Sequence, residues 1–211
     1  MDLLKEGFDN NVSLGSTCYP KLFIKEHLKP ASGETQLFDY CGTSMWSINA
    51  LIRADFAGIL SDLSCIPITD NLRSVVTNTK YYIRFLHEYT CVRQALTPLS
   101  KERMERRVAR FKKLLTGSNR ILFVRYQENA EGRIVYHEHP NTEFEEIGIF
   151  IDLVKSTYGC KNVTVIYINL DQEGWNETHD ILSVKIDSLR CDHKIIPAKI
   201  KAVLNEHGVV F

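Results

Sequence analysis

The chain has 211 residues, of which 44% are hydrophobic and 25% charged, and its formal net charge is zero. This composition excludes disorder as the dominant state, since disordered chains are poor in apolar residues and carry excess charge. The balanced charge argues against a nucleic-acid-binding protein, which needs surplus Lys and Arg to displace counterions. No run of about 18 apolar residues is present, so no membrane contact is expected.

The cysteine pattern predicts a cytoplasmic protein with reduced thiols. The N-terminal MDLLKEGFDN has neither a basic start nor a long apolar stretch, which is not the pattern of a secretory signal. None of the six cysteines forms a CxxC pair, and we expect five of the six to be ordinary buried core residues. They are Cys18, Cys41, Cys65, Cys91, Cys160 and Cys191.

The first half begins with a short strand-like segment, NNVSLGST, followed by a helix over Cys18–Leu28. Thr43 or Ser44 is placed to cap a second helix running through residues 45–60. The apolar stripe of that helix consists of Ile48, Leu51, Ile52, Phe56 and Ile59.

Two further elements complete the first half. The segment KYYIRFLHEYT alternates and is rich in aromatic residues, which predicts a strand ending near His87. Ser100 then caps the clearest helix, which ends near Gly117.

The second half follows the pattern of a βαβ unit. Residues 120–126 and 162–170 are near-continuous apolar runs, typical of strands covered on both faces. Between them, Thr142 and Glu145 form a capping box for a helix, and a last helix is expected over residues 197–208. These elements predict an α/β fold: a single domain over residues 1–211, with a soft boundary near residues 90–99, in which helices pack on a mixed, partly parallel sheet.

Cys18 lies in the most informative segment, SLGSTCYP, where a strand runs into a small-residue turn and then a helix. Unpaired amide N–H groups and the helix dipole at a helix N-terminus stabilise a thiolate, and the thiolate is the reactive form of cysteine. The alternative is a small buried residue at a strand–helix junction.

An ordered set of short motifs resembles a known family. These are SLGSTC, FDY at residues 38–40, the aromatic-flanked histidine in FLHEY, and RVARFKKLL followed by ILFVR. Together they are similar to a family labelled putative papain-like cysteine peptidases, found in bacteria and large DNA viruses. The likeness covers roughly residues 11–126.

This resemblance implies a catalytic Cys–His pair, with Cys18 as the nucleophile and His87 as the base. It places Asp39, in the FD-aromatic motif, as the orienting or structural carboxylate, and the alternative is a loop aspartate that accepts backbone N–H groups. In papain the orienting residue follows the histidine, so Asn169 and Asp171 are later candidates for that role.

Arg125 ends the first buried strand of the second half, where ligands collect in α/β sheets. Its guanidinium is suited to hold a carboxylate or phosphate, and a buried ion pair is the equal alternative. Arg125 is therefore a predicted substrate-binding residue, together with Ser13 and Gly15 in the turn before Cys18.

No metal and no cofactor are predicted. The motif HEH at residues 137–139 lacks a third ligand at a diagnostic spacing, and phosphate-loop, dinucleotide and serine-hydrolase motifs are absent. The basic face of the helix around residues 101–113 is the only local basic patch, and it has no aromatic interleaving typical of nucleic-acid binding.

Three functions follow, in order of preference. The first is a cysteine-dependent hydrolase or acyl transferase, a papain-like peptidase or amidase, acting on a peptide or other small substrate through Cys18 and His87. The second is a non-proteolytic enzyme acting on a sugar, nucleotide or other anionic substrate near Arg125. The third is a non-catalytic interaction protein.

Overall fold

The computed structural model describes residues 7–28, 34–67, 74–127, 140–187 and 195–207. Six helices and nine strands lie in these ranges. In chain order they are β1 (Asn10–Ser13), α1 (Tyr19–His27), β2 (Cys41–Gly42), α2 (Met45–Arg53), β3 (Leu63–Pro67), β4 (Ser74–Asn78), β5 (Ile83–Phe85), α3 (Val92–Ala95), α4 (Pro98–Leu115), β6 (Ile121–Tyr126), α5 (Glu143–Tyr158), β7 (Val163–Asn169), β8 (Gly174–Asn176), β9 (Ile181–Lys185) and α6 (Ile195–Glu206).

The larger sheet has the strand order β1–β6–β7–β9–β8. The strands β1, β6, β7 and β9 are parallel, and β8 adds an antiparallel edge. Every residue of β6 and β7 is buried, as the continuous apolar runs predicted, because helices cover both faces of the sheet. The predicted βαβ unit is β6–α5–β7, and the α/β class with a mixed, partly parallel sheet is confirmed.

Two apolar layers form on the two faces of this sheet. The helices α1 and α6 pack on one face, against alternate residues of β6 such as Leu122 and Val124. The helices α2, α4 and α5 pack on the other, where the ring of Phe123 lies 6.2 Å from that of Phe111 and 5.1 Å from that of Phe150. The alternation along β6 follows from the two-residue period of a strand.

A second, antiparallel sheet of order β2–β5–β4–β3 was not predicted. Residues 79–82 form a turn with Tyr82 at φ 54°, so the predicted strand over KYYIRFLHEYT is only the three residues of β5. Phe85 on β5 and Val76 on β4 are buried in the same core as α2 and α5. The small sheet therefore packs against the helical layer of the larger one.

Two predicted helix boundaries were wrong. The helix α2 ends at Arg53 and not near residue 60, and Asp55 and Phe56 then take positive φ values of 50° and 62°. The amide of Asn78 donates to the carbonyls of residues 58, 59 and 61, a long-range contact that holds this segment outside the helix. The helix α4 begins at Pro98, with Thr97 as its cap in place of Ser100.

Other local predictions were correct. Ser44 caps α2 by accepting the N–H of Ser47. Thr142 and Glu145 form the capping box of α5, and Gly159 ends that helix in the left-handed region at φ 72°.

The five cysteines in the described ranges are free thiols, but their burial differs from the prediction. Cys65 and Cys91 are exposed and Cys18 is half-buried, which leaves Cys41 and Cys160 as buried residues. Cys191 lies outside the described residues. Within the described ranges, no helix is both long enough and apolar enough to cross a bilayer.

Candidate active site

The loop between β1 and α1 has two consecutive residues in the left-handed region, Gly15 at φ 74° and Ser16 at φ 76°. A Cβ at position 15 would lie 2.7 Å from Oγ1 of Thr43 and 2.9 Å from the Cys41 carbonyl oxygen, so only glycine fits. The hydroxyl of Thr43 donates to the Leu14 carbonyl and accepts the Ser16 N–H. The loop that leads to Cys18 is thus shaped by the chain around β2.

Ser13 supports the same turn from inside, because its Oγ accepts the Gly15 N–H at 3.1 Å. The predicted residues Ser13 and Gly15 are therefore brought together, and both shape the loop.

Arg125 fastens this loop to two other segments. Its Nη1 donates to the Leu14 carbonyl at 2.8 Å and to Oγ1 of Thr43 at 3.3 Å, and its Nη2 donates to the Thr43 carbonyl at 2.6 Å. Its Nε and Nη2 also bind Glu143, the first residue of α5. The side chain is fully buried, and each of its three nitrogens donates a hydrogen bond to a protein oxygen. The sequence left open whether Arg125 holds a ligand or forms a buried ion pair, and in the structure it forms a buried ion pair with Glu143.

Cys18 is the N-cap residue of α1, at the carboxyl end of β1, and its side chain makes no capping hydrogen bond. Thr17 lies just before the helix, and its Oγ1 accepts a hydrogen bond from the N–H of Tyr19, the first helical residue, at 3.2 Å. Among the described residues, the N–H groups of Thr17 and Cys18 have no acceptor. A half-buried thiol therefore stands beside two amide donors at the positive end of a helix dipole.

Asp39 is joined to the helix that carries Cys18. Its Oδ2 lies 2.7 Å from Nζ of Lys21 and accepts the Gln36 N–H at 2.7 Å. The bond from Gln36 matches the alternative of a loop aspartate that satisfies a backbone donor. The ion pair between Asp39 and Lys21 was not predicted. The sequence does show that Lys21 lies three residues after Cys18, a spacing that places the two side chains on one helix face.

His87 lies on an exposed turn directly after β5. Its ring packs edge-on against Tyr40, with centroids 6.0 Å apart, and the Leu86 N–H donates to the Tyr40 carbonyl. On the other side, the carboxylate of Glu88 accepts two hydrogen bonds from Arg107 of α4. In the described part of the chain, no hydrogen bond or ion pair joins His87 to Cys18 or to Asp39, so the Cys–His pair stays a prediction.

The later orienting candidates have other partners. The side chain of Asn169 accepts the N–H groups of Asp171 and Gln172 and donates to the Tyr167 and Gln172 carbonyls, which shapes the turn after β7. Asp171 accepts a hydrogen bond from Gln127.

Cys41 contrasts with Cys18. The pKa of the Cys41 thiol is raised to about 12, mainly because the thiol is completely buried and, to a smaller extent, because of the negative charge of Glu88. This thiol is protonated at neutral pH and donates to the Leu37 carbonyl. It is therefore a structural cysteine.

No group of three metal-ligating side chains occurs within the described ranges, and the motif at residues 137–139 lies outside them. Two surface cavities lie away from Cys18. One, of about 480 Å³, is between residues 55–61 and α4, and the other, of about 340 Å³, lies beside α5 near His179. Neither cavity is lined by a residue of the loop before α1.

The fold and this site define an α/β protein with an accessible thiol at a helix N-terminus, at the carboxyl edge of a parallel sheet. Residues 9–173 match the family described as "Putative papain-like cysteine peptidase (DUF1796)", and the chain therefore belongs to that family. No curated protein and no solved structure matches the chain.

Proposed function

We propose that the protein is a thiol-dependent hydrolase or acyl transferase, with Cys18 as the nucleophile and His87 as the general base. The proposal depends on one observation above all. Asp39 forms an ion pair with Lys21 of α1, and the next residue, Tyr40, packs against the His87 ring. The helix capped by Cys18 and the turn that carries His87 therefore contact two adjacent residues, Asp39 and Tyr40.

The chemistry assigned to these groups is acyl transfer. His87 takes the proton of the Cys18 thiol, and Sγ attacks the carbonyl carbon of a peptide or other small acyl substrate, forming a C–S bond. The intermediate breaks its bond to the leaving group, which receives the proton from His87. Water then hydrolyses the thioester, or a second nucleophile accepts the acyl group, and the thiol is restored.

The amide N–H groups of Thr17 and Cys18 supply the electrostatic part of the proposal. A tetrahedral intermediate carries an oxyanion that needs preorganised donors, and these two amides have no acceptor within the described residues. Gly15 and Thr43 fix the backbone that presents them.

The test is alkylation of the native protein with iodoacetamide from pH 5 to 9, with each cysteine measured by peptide mass spectrometry. The exposed Cys65 is the internal reference for an ordinary accessible thiol, and the exposed Cys91 is a second reference that lies at the start of the four-residue helix α3. At pH 6 we expect Cys18 to react about tenfold faster than both references, and His87→Gln to remove this advantage. Cys18→Ser should abolish turnover of peptide and ester libraries without lowering the melting temperature.

A Cys18 rate no higher than that of the references would overturn the proposal, as would a fast rate that His87→Gln leaves unchanged. The buried Cys41 is the control for unfolding, because it should stay unmodified in every folded variant.

A further inference from the structure

We infer that Lys21 is a positioning residue for the proposed nucleophile, acting through its ion pair with Asp39. The inference rests on the proposed function, and it assigns to that site a residue that touches neither the substrate nor the reacting sulphur.

Lys21 and Cys18 lie on one face of the helix. Cys18 has φ −80° and ψ −12°, close to helical values, and its carbonyl accepts the Leu22 N–H, so helical spacing already applies at the cap. Residues three apart on a helix have Cβ atoms about 5–6 Å apart. The Lys21 side chain therefore leaves the helix beside the thiol.

The ion pair is largely removed from water. The Asp39 side chain is 1% exposed and that of Lys21 is 14% exposed, with Nζ 2.7 Å from Oδ2. The second oxygen of Asp39 is buried and has no hydrogen-bond partner in the described part of the chain. The ammonium is thus the cation that compensates this carboxylate, and its loss leaves a buried charge that must move or rehydrate.

A movement of Asp39 would be transmitted to His87 through the adjacent residue, Tyr40. Tyr40 follows Asp39 directly, and it holds the His87 turn by its ring and by its carbonyl, which accepts the Leu86 N–H. A shift of this turn changes the position of His87 relative to α1 while the cores behind both segments stay packed. Small misplacements of this kind cost acyl-transfer catalysts more in rate than in stability.

The experiment compares Lys21→Met with a matched variant, Lys25→Met, one turn further along the same helix. Lys25 is exposed and has no ion pair among the described residues. At pH 6 we expect Lys21→Met to lower the Cys18 alkylation rate about tenfold and to remove its dependence on His87. Lys25→Met should leave both unchanged, and Lys21→Arg should restore most of the rate.

Two additional measurements separate positioning from simple loss of structure. The buried Cys41 and Cys160 should stay protected in Lys21→Met, since a general loosening would expose them as well. The double variant Lys21→Met with Asp39→Asn leaves no unpaired charge and remains available if the single variant does not fold. We expect its Cys18 rate to be as low as that of Lys21→Met.

The inference is overturned if the double variant has the native Cys18 rate, or if Cys41 and Cys160 become reactive together with any loss at Cys18. A native protein whose Cys18 rate does not depend on His87 would instead refute the proposed function, and this inference with it. A native protein that shows the dependence, together with a Lys21→Met variant that keeps it, would refute the inference alone.

Discussion

Replacing Arg125 with methionine tests how the site is held together. Arg125 is fully buried, and its guanidinium joins the end of β1, the end of β2 and the start of α5. Methionine keeps most of the volume and removes all five N–H donors. The Thr43 carbonyl then loses its donor and Glu143 loses its counterion, while the Leu14 carbonyl keeps the hydrogen bond from the Thr43 hydroxyl.

We expect Arg125→Met to lower the free energy of unfolding by about 4 kcal/mol. Breaking a buried ion pair by removing one partner costs about 3–5 kcal/mol. The buried Thr43 carbonyl, left without a donor, adds about 1–3 kcal/mol. Two effects offset part of this loss. The buried methionine side chain contributes about 1.5–3 kcal/mol, and Glu143, whose side chain is 14% exposed, partly rehydrates.

Equilibrium unfolding in urea measures this cost. With a denaturant dependence of about 2–3 kcal/mol per molar, the unfolding midpoint of Arg125→Met should fall by about 1.3–2 M. The control is Arg106→Met, since Arg106 has a 55% exposed side chain and pairs with Glu102 on the helix surface. That variant should change stability by less than about 0.5 kcal/mol. Equal midpoints for the two variants would refute the reasoning, because they would make burial irrelevant to the guanidinium's contribution.

Three other predictions concern the surrounding residues. Gly15→Ala should lower the free energy of unfolding by about 2–4 kcal/mol in urea titrations, because φ is 74° and the new Cβ meets Thr43; a neutral result would contradict the packing of this turn. Arg107→Met should cost about 3–5 kcal/mol in the same assay, since Glu88 is only 9% exposed, and native-like stability would show that this carboxylate needs no partner. The native state binds the Cys41 proton more tightly than the unfolded state does, with a pKa of about 12 against 9.0, so this contribution to stability is full below pH 9 and declines from there to pH 12. Denaturation at stepped pH should show a slope of up to about 1.4 kcal/mol per unit that Cys41→Ala makes shallower, and an unchanged slope would count against the shift.

Several elements could be predicted because their signals are local. The helix α5 has its capping box and its terminal glycine within the segment itself, so both ends were identified correctly. The strands β6 and β7 are apolar along their whole length, which implies cover on both faces whatever provides it. Their parallel pairing followed from the helix between them.

The small sheet could not be predicted in the same way. Its strands have five residues or fewer, and β2 has only two, so each carries little pattern of its own. The three-residue strand β5 follows a turn in which Tyr82 adopts a left-handed conformation that tyrosine rarely takes. Contacts distant in sequence decide such segments, as they do for residues 54–60.

For the site, the order of residues along the chain was enough to predict a cysteine after a small-residue turn at the start of a helix, because turn composition and helix periodicity are properties of consecutive residues. The short motifs added a family and two partner candidates for that cysteine. What the candidate site residues contact could be seen only in the folded structure. The His87 ring packs against Tyr40, Asp39 binds Lys21 of α1, and Arg125 binds Glu143 of α5. A buried charge must find a counterion, but sequence spacing does not select which of the 26 acidic or 26 basic side chains supplies it. That choice is made when the elements pack, which is why it could be read only from the folded chain.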